Sequence, residues 1–404
     1  MIKNSDECAA NFQCQTPKLP TINLYGANTI HELILPNSEV AQLMQKYWIP
    51  MMQTGATHYI DNIQTQLWAI AFDNLVLPVT VNEAEYENSY VCSFYAHYIT
   101  YAKDELVNLK FPLLEKILSA ILRGFGYLFK WLKINKTVIV NNWMLSTNLY
   151  PELSKEQLSA ITQYLKKAFP DHTIVFRSIN EFKDNPTKKY LQLLDYQMIG
   201  SRQVYLFDPH KPKLSAQRKQ RMQHNLKRDS KLFETHGYEV ISQSEILTSD
   251  LPRIVELYSA LYLQKYSDNN PHFNQNFFAL TGDRRFLELI ALRKAGRIDG
   301  IIGFYVLNGV MTTPLLGYDT SLPQELGLYR MLTACLIQAG TQKGLIINQS
   351  SGAASFKRNR GFSGWIEYSA IFHQHLAVYR QVGWWLLGLM VDLVAIPLIR
   401  RYKL

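Results

Sequence analysis

The chain has 404 residues, more than one ordinary hydrophobic core accommodates, so two domains are expected. Its composition, 47% hydrophobic, 19% charged and 12% aromatic, excludes a disordered or fibrous protein. A formal charge of +9 points to an anionic partner: a nucleotide-bearing cofactor, RNA or an acidic membrane surface.

After a polar N-terminal segment, Ser38 to Trp48 reads as a short helix with Ser38 at its N-cap. Leu67–Val81 reads as a hairpin, with apolar β-formers on either side of Asp73 and Asn74. Tyr90–Tyr101 reads as strand and loop, Asp104–Leu132 as helix broken by Pro112, Gly124 and Gly126, and Thr137–Asn142 as a buried strand. Ser154 and Gln157 form a capping box ahead of a helix that runs to Phe169. Strands at Thr173–Phe176 and Gln203–Phe207, with a short helix at Lys188–Leu194 between them, close the first half.

The second half opens with a charged helix, Ser215–His236, then a strand at Tyr238–Ile241 and helices around Asp250–Tyr266 and Asn274–Arg285. Gly303 to Phe362 follows as strand, turn, strand, loop, helix, strand and a small-residue basic loop. The halves share an order: a hairpin, a helix, a short strand ending in Asn or Gln (Val138–Asn142, Leu345–Gln349) and a last strand.

Four features carry chemistry. At Gly327 a helix begins whose first N–H groups would receive a pyrophosphate, or which is an ordinary surface helix start. Before it, Asp319 and Tyr318 would act as base and proton donor in acyl transfer to an amine, unless Asp319 bonds its own turn. In Ser350–Arg360, small residues permit close backbone approach while Lys357, Arg358 and Arg360 would pair with phosphates or stand in solvent. Lys211–Lys231 holds eight cations against one acid, Asp229; Met222, Leu226 and Phe233 share one helical face and Arg218, Arg221, Asn225 and Arg228 another, to grip RNA or cofactor phosphates or to stand solvated.

The apolar tail Val382–Ile399, followed by Arg400, Arg401 and Lys403, is interrupted by Asp392 and Pro397. That disfavours spanning a membrane and leaves a helix docked on the protein core or lying in a membrane interface with Trp384 and Trp385 at headgroup level. Cys8, Cys14, Cys92 and Cys335 show no metal or redox spacing, and His373 and His375 have no third ligand, so free thiols and ordinary histidines are expected. The first twenty residues lack an apolar run, and the expected location is cytoplasmic, peripheral at the inner membrane face.

The motifs from Gly317 to Gly344 (GYDTSLPQELGLYRMLTACLIQAGTQKG) and from Leu345 to Phe362 (LIINQSSGAASFKRNRGF) resemble the GNAT acyltransferase superfamily, in its FemAB-like branch of tandem-domain proteins. The resemblance implies an α/β (α+β) fold of two GNAT-like domains, each a mixed twisted sheet flanked by helices. It divides the chain into a degenerate N-terminal domain (1–210), a basic connecting helix (211–236), a donor-binding domain (237–375) and an apolar tail (376–404). It implies an acyl-CoA or aminoacyl-tRNA donor and an amine acceptor, the donor's phosphates lying on Glu325, Gly327, Leu328, Tyr329 and Arg330 with help from Lys357 and Arg358. The superfamily's glycine-rich loop is reduced here to Gln324–Tyr329, which keeps tRNA and carrier-protein thioesters open as donors. The expected activity is N-acyl transfer by direct amine attack, with no protein nucleophile and no metal. The alternatives are aminoacyl transfer from tRNA to a peptidoglycan or lipid precursor, and a non-catalytic RNA- or membrane-binding protein on a decayed scaffold.

Overall fold

The computed structural model describes residues 22–106, 111–182, 185–210, 215–283 and 285–397. The N-terminal segment with Cys8 and Cys14, residues 211–214 at the start of the basic run, and Arg400, Arg401 and Lys403 lie outside them.

The first half runs β1 (Ile22–Tyr25), α1 (Glu39–Leu43), α2 (Ile49–Thr54), β2 (Gln66–Phe72), β3 (Leu75–Asn82), α3 (Tyr101–Leu106), α4 (Pro112–Trp131), β4 (Thr137–Val140), α5 (Lys155–Ala168), β5 (Thr173–Ile179), α6 (Thr187–Leu193) and β6 (Gln197–Phe207). The second runs α7 (Ala216–His236), β7 (Glu239–Ser242), α8 (Leu251–Ser259), α9 (Gln275–Asp283), β8 (Glu288–Lys294), β9 (Arg297–Leu307), β10 (Val310–Tyr318), α10 (Leu328–Gln342), β11 (Ile346–Asn348), α11 (Ala354–Arg358), β12 (Ser363–Phe372) and α12 (Val378–Met390).

Local chemistry accounts for many of these boundaries. The Ser38 hydroxyl accepts from the Ala41 N–H, and Asp73 turns the β2–β3 hairpin at φ +48°. Ser154 and Gln157 satisfy each other's backbone N–H at the start of α5. The helical stretch is interrupted ahead of Pro112, as expected: α3 ends at Leu106 and Pro112 begins α4, where its missing N–H costs nothing, but α4 then continues unbroken through Gly124 and Gly126. Tyr90–Tyr101 is helical rather than extended in its second part, with Phe94 and Tyr98 stacked one turn apart and Tyr90 edge-on to Tyr101. The sequence reading passed over β8, a half-buried strand that pairs with the start of β9.

The halves do not form separate sheets. All strands join one twelve-stranded mixed sheet in the order β1-β2-β3-β4-β5-β12-β6-β11-β10-β9-β8-β7. Its pattern is the same from either end: antiparallel neighbours, then one parallel pair (β4 with β5, β10 with β11), then antiparallel pairing again at the centre. In each parallel pair a helix connects the strands, as parallel pairing requires. The last strands are exchanged: β12 lies beside β5 of the first half, and β6 lies beside β11 of the second.

Across that exchange Arg202 and Glu367 face each other in register and pair at 2.9 Å, both largely withdrawn from water. The same guanidinium donates to the Thr147 hydroxyl at 3.0 Å and to the Ser146 carbonyl. Burial disfavours its charge, yet Glu367 outweighs burial and raises its pKa. Tyr305 of β9 reaches into the first half, donating to the Thr147 carbonyl and accepting from the Leu149 N–H, both at 3.1 Å.

Two outcomes follow. Calorimetry on the whole chain will show one unfolding transition, because neither half has a complete sheet alone. Glu367→Ala, which leaves Arg202 buried and unpaired, will lower stability in urea titrations by ~3–5 kcal/mol, while replacing both residues by methionine will recover most of the loss.

Candidate functional site: the opening between β10 and β11

β10 and β11 pair only at Val310–Ile346, Met311–Ile347 and Thr312–Asn348. Beyond Thr312 the β10 register shifts until Leu315, a stretch that contains Pro314, which has no N–H to give a ladder. The strands part there. The end of β11 is held by Gln349, whose amide donates to the Thr333 hydroxyl at 3.1 Å while its buried Oε1 finds no protein donor.

α10 begins beside this opening. Gly327 sits at φ +72°, and a Cβ there would come within 2.7 Å of Leu232 on α7, so only glycine fits. Its N–H closes the preceding turn onto the Gln324 carbonyl, and its carbonyl accepts the first helical bond, from Met331. Among the described residues no side chain caps the helix, so the N–H groups of Leu328, Tyr329 and Arg330 precede that first bond without an acceptor there. Such a terminus attracts an anion.

In the first half β4 and β5 likewise stop pairing after Val140 and Phe176. Just beyond, Trp143 is fully buried against Tyr47, Trp48 and Phe286, its indole N–H donating to Asn141 Oδ1 at 3.0 Å. Asn142 donates to Thr80 and to the Val91 carbonyl, and Arg177 donates to that same carbonyl at 2.7 Å. The helix that follows, α5, carries its own capping box. The first half's helix is capped by its own side chains; α10 is not.

Aromatic side chains wall the opening between β10 and β11. Tyr318 and Tyr329 lie 6.3 Å apart, Tyr329 packs on Phe356 at 4.8 Å, and Lys265 stands 6.0 Å from the Tyr318 ring. Burial raises the pKa of Tyr318 and of Tyr266, and raises Tyr329 more strongly, so these phenols stay protonated at neutral pH.

The residues singled out in the sequence fare differently. Leu328 lies in the core and offers only its N–H, while Glu325 is exposed on the preceding turn. The side chain of Arg330 is already paired: its Nε lies 2.7 Å from Asp229 of α7, which has no exposure and also binds Arg360 Nε at 2.5 Å. Lys357 is buried, and its ammonium donates to the carbonyls of Gln349 at 2.6 Å, Ser350 at 3.3 Å and Ser351 at 2.7 Å. Burial, then Arg202 nearby, pushes its pKa well below the ordinary lysine value. Arg358 donates to Gln203 and to the Tyr205 hydroxyl. The cations of the KRNR run therefore brace the loop from within.

Asp319 is similarly engaged. One carboxylate oxygen accepts from the Ser321 N–H at 3.0 Å and the Ser321 hydroxyl at 2.5 Å; the other faces Arg253 at 2.6 Å and Arg297 at 3.4 Å. Burial opposes its ionisation, but Ser321 and Arg253 outweigh burial and hold the carboxyl below the usual range. A carboxylate so held fixes a turn and makes a poor proton acceptor. The sequence reading missed Asp229 as a keystone, although a lone acid among eight cations was its signal. It also missed Arg253 and Arg297, for which local pattern offers none.

Elsewhere, His373 pairs with Gln197 and His375 with the His172 carbonyl, and Cys92 and Cys335 are buried free thiols. A surface hollow of about 520 Å³ lined by Gly26, Met52, Thr65 and Trp68, among others, holds no ionisable side chain and so no acid–base chemistry.

No family model matches the sequence, and no curated protein matches it significantly. Solved structures that resemble it include FemX, a tandem GNAT protein and an L-PGS. FemX is 10% identical over 57% of this chain and 80% of its own, with a TM-score of 0.41. A tandem GNAT protein of the clavulanic acid biosynthesis pathway is 8% identical over 87% of this chain and 98% of its own, at 0.37. L-PGS from Bacillus licheniformis is 16% identical over 57% and 77%, at 0.40. Likenesses this distant do not identify the chain's chemistry.

Asp229→Asn, which strips the shared partner from two guanidinium groups, will destabilise the protein by ~3 kcal/mol or more in denaturant titrations. Asp319, with its folded pKa depressed, contributes stability that is present above its ordinary pKa and lost as pH falls through the folded value. Stability measured from pH 7 down to pH 3 will therefore fall less steeply for Asp319→Asn than for the parent, and the variant will be the less stable of the two at pH 7.

Proposed function

We propose that the chain is a tandem GNAT-like N-acyltransferase whose second half binds an acyl-CoA, or a related thioester, at the β10–β11 opening. The observation that carries this reading is the contrast between the halves: in the same strand–helix–strand unit the helix is self-capped in the first and has no side-chain cap, at α10, in the second. The donor's pyrophosphate lies on the N–H groups of Leu328, Tyr329 and Arg330. Its cations come from α7, where exposed Arg228 and Lys231 flank the two residues, Asp229 and Leu232, that meet α10. Lys357, Arg358 and the Arg330 side chain support this surface from beneath.

The acyl carbonyl enters the gap beside Tyr318. The amine nitrogen bonds to the acyl carbon, the carbon–sulfur bond breaks, and the thiolate takes the Tyr318 proton while the amine's proton passes to the phenolate. The net products are an amide and a free thiol. Asp319 contributes by fixing the turn after Tyr318, not by accepting a proton.

A second reading has its own support. α7 is about 30 Å long and presents exposed Arg218, Lys219, Arg221, Lys227, Arg228 and Lys231 along its length, more than a pyrophosphate needs and suited to an RNA backbone. Aminoacyl-tRNA would then replace CoA, with the same amine attack.

Free-thiol release from acyl-CoAs of graded chain length, with mixed amines as acceptors, separates the two. Release is expected with at least one chain length; Arg228→Glu with Lys231→Glu will raise KM for the donor about tenfold or more at little cost to kcat, and Tyr318→Phe will lower kcat about 100-fold. No release at any chain length sinks the CoA reading, and tRNA binding that weakens steeply with salt then favours the second.

A further inference from the structure

The described residues expose eighteen large apolar side chains, and thirteen of them fall in two short stretches, Phe111–Trp131 and Val378–Val394. These stretches hold α4 and α12 with the turn that follows α12. α4 is apolar on two faces. Phe125, Leu128 and Phe129 turn inward onto a cluster with Trp384, Leu387 and Val391, while Leu113, Ile117 and Ile121 face solvent at four-residue spacing and Trp131, exposed at the helix end, returns to the same face. α12 repeats the arrangement: Trp384 is buried with its indole N–H on the Thr173 hydroxyl, and Val378, Val382, Trp385 and Leu389 line the outside. Thus the tail docks on the core through Trp384 and leaves Trp385 58% exposed, dividing the roles expected of the two tryptophans. The outer stripes meet where the Trp131 and Tyr379 rings lie 5.7 Å apart.

Charge decides what covers this surface. Lys116, Arg123 and Lys130, all exposed, recur every seven residues along α4 and so form one line beside its apolar stripe. Lys130 also lies over the Tyr86 and Tyr95 rings. The acids on these helices are Glu115, part-buried on α4, and Asp392 after α12. A second copy docked here would bring like-charged lines together, in a chain whose net charge is +9. An anionic bilayer complements the line, and Trp131, Trp385, Tyr127 and Tyr379 have the amphipathic rings that settle at headgroup depth. No helix of the described residues is long and apolar enough to cross a membrane, so the mode of contact is a pair of helices lying in the plane.

We propose that α4 and α12 together form a docking surface for anionic lipid bilayers, with α4 supplying the cations. The test is flotation of the full chain with phosphatidylcholine vesicles, with and without phosphatidylglycerol. Binding is expected to the phosphatidylglycerol vesicles and to weaken with salt. Lys116→Glu with Arg123→Glu will reduce it about thirtyfold or more, and Ile117→Glu with Ile121→Glu will reduce it comparably at an unchanged thermal midpoint, as exposed positions allow. Trp385→Ser on the other helix provides an independent check. Absence of binding to either vesicle overturns the proposal. So does concentration-dependent dimerisation, by sedimentation, that Ile117→Glu with Ile121→Glu abolishes while vesicle binding stays at background.

Discussion

The exchange of β6 and β12 is the constraint on which the molecule rests. Each half builds a sheet as far as its parallel pair and then gives its closing strand to the other. Two edges that would otherwise expose unpaired backbone are covered, and the cost of an open edge is removed at the centre. The Arg202–Glu367 pair sits at that junction, directly opposed across the exchanged strands. Such a pair adds little net stability over apolar residues of the same shape, but it penalises any register that separates the two charges. Its further bonds to Ser146 and Thr147 bind the loop after β4 to the same point. Continuity of the sheet and the placement of the loop after β4 therefore share one anchor.

Near-symmetry in the backbone makes the asymmetry of the side chains informative. Both halves place a strand, a helix and a parallel strand at equivalent positions. In the first half Asn142 and Arg177 bond each other, Trp143 bonds Asn141 and the Ser154 box closes α5, while the buried Asn148 amide nitrogen keeps no partner among the described residues. In the second half the comparable groups are backbone N–H groups with no side chain to meet them, and a buried Gln349 oxygen without a donor. The same fold thus yields a structural unit and a candidate binding unit, and the difference observed between them lies at the helix caps.

Much of this was legible from local chemistry. Ser154 with Gln157, the Asp73 turn and Gly327 ahead of an apolar-periodic run each announce a boundary because the capping or turn residue acts within a few positions of itself. The strand exchange was not legible, since β12 meets β6 across roughly 160 residues and nothing in either strand names its partner. The Tyr90–Tyr101 segment misled for a related reason. Its aromatic residues suit a strand by propensity, and only packing against one another and against the neighbouring helix decides otherwise.

The charged residues teach a sharper point. A basic run beside a candidate anion site invites the reading that its cations bind the anion, yet Lys357 holds three carbonyls, Arg330 and Arg360 share Asp229, and Arg358 bonds Gln203 and Tyr205. A loop rich in small residues makes few apolar contacts of its own, so its carbonyls need donors, and the cations inside it supply them. Exposed cations on the outer face of α7 and in the line on α4 are not drawn into that loop. The first group adjoins the uncapped helix, and the second borders an apolar face. On the proposed readings the first would meet phosphates and the second a lipid surface, a division of positive charge that composition alone does not draw.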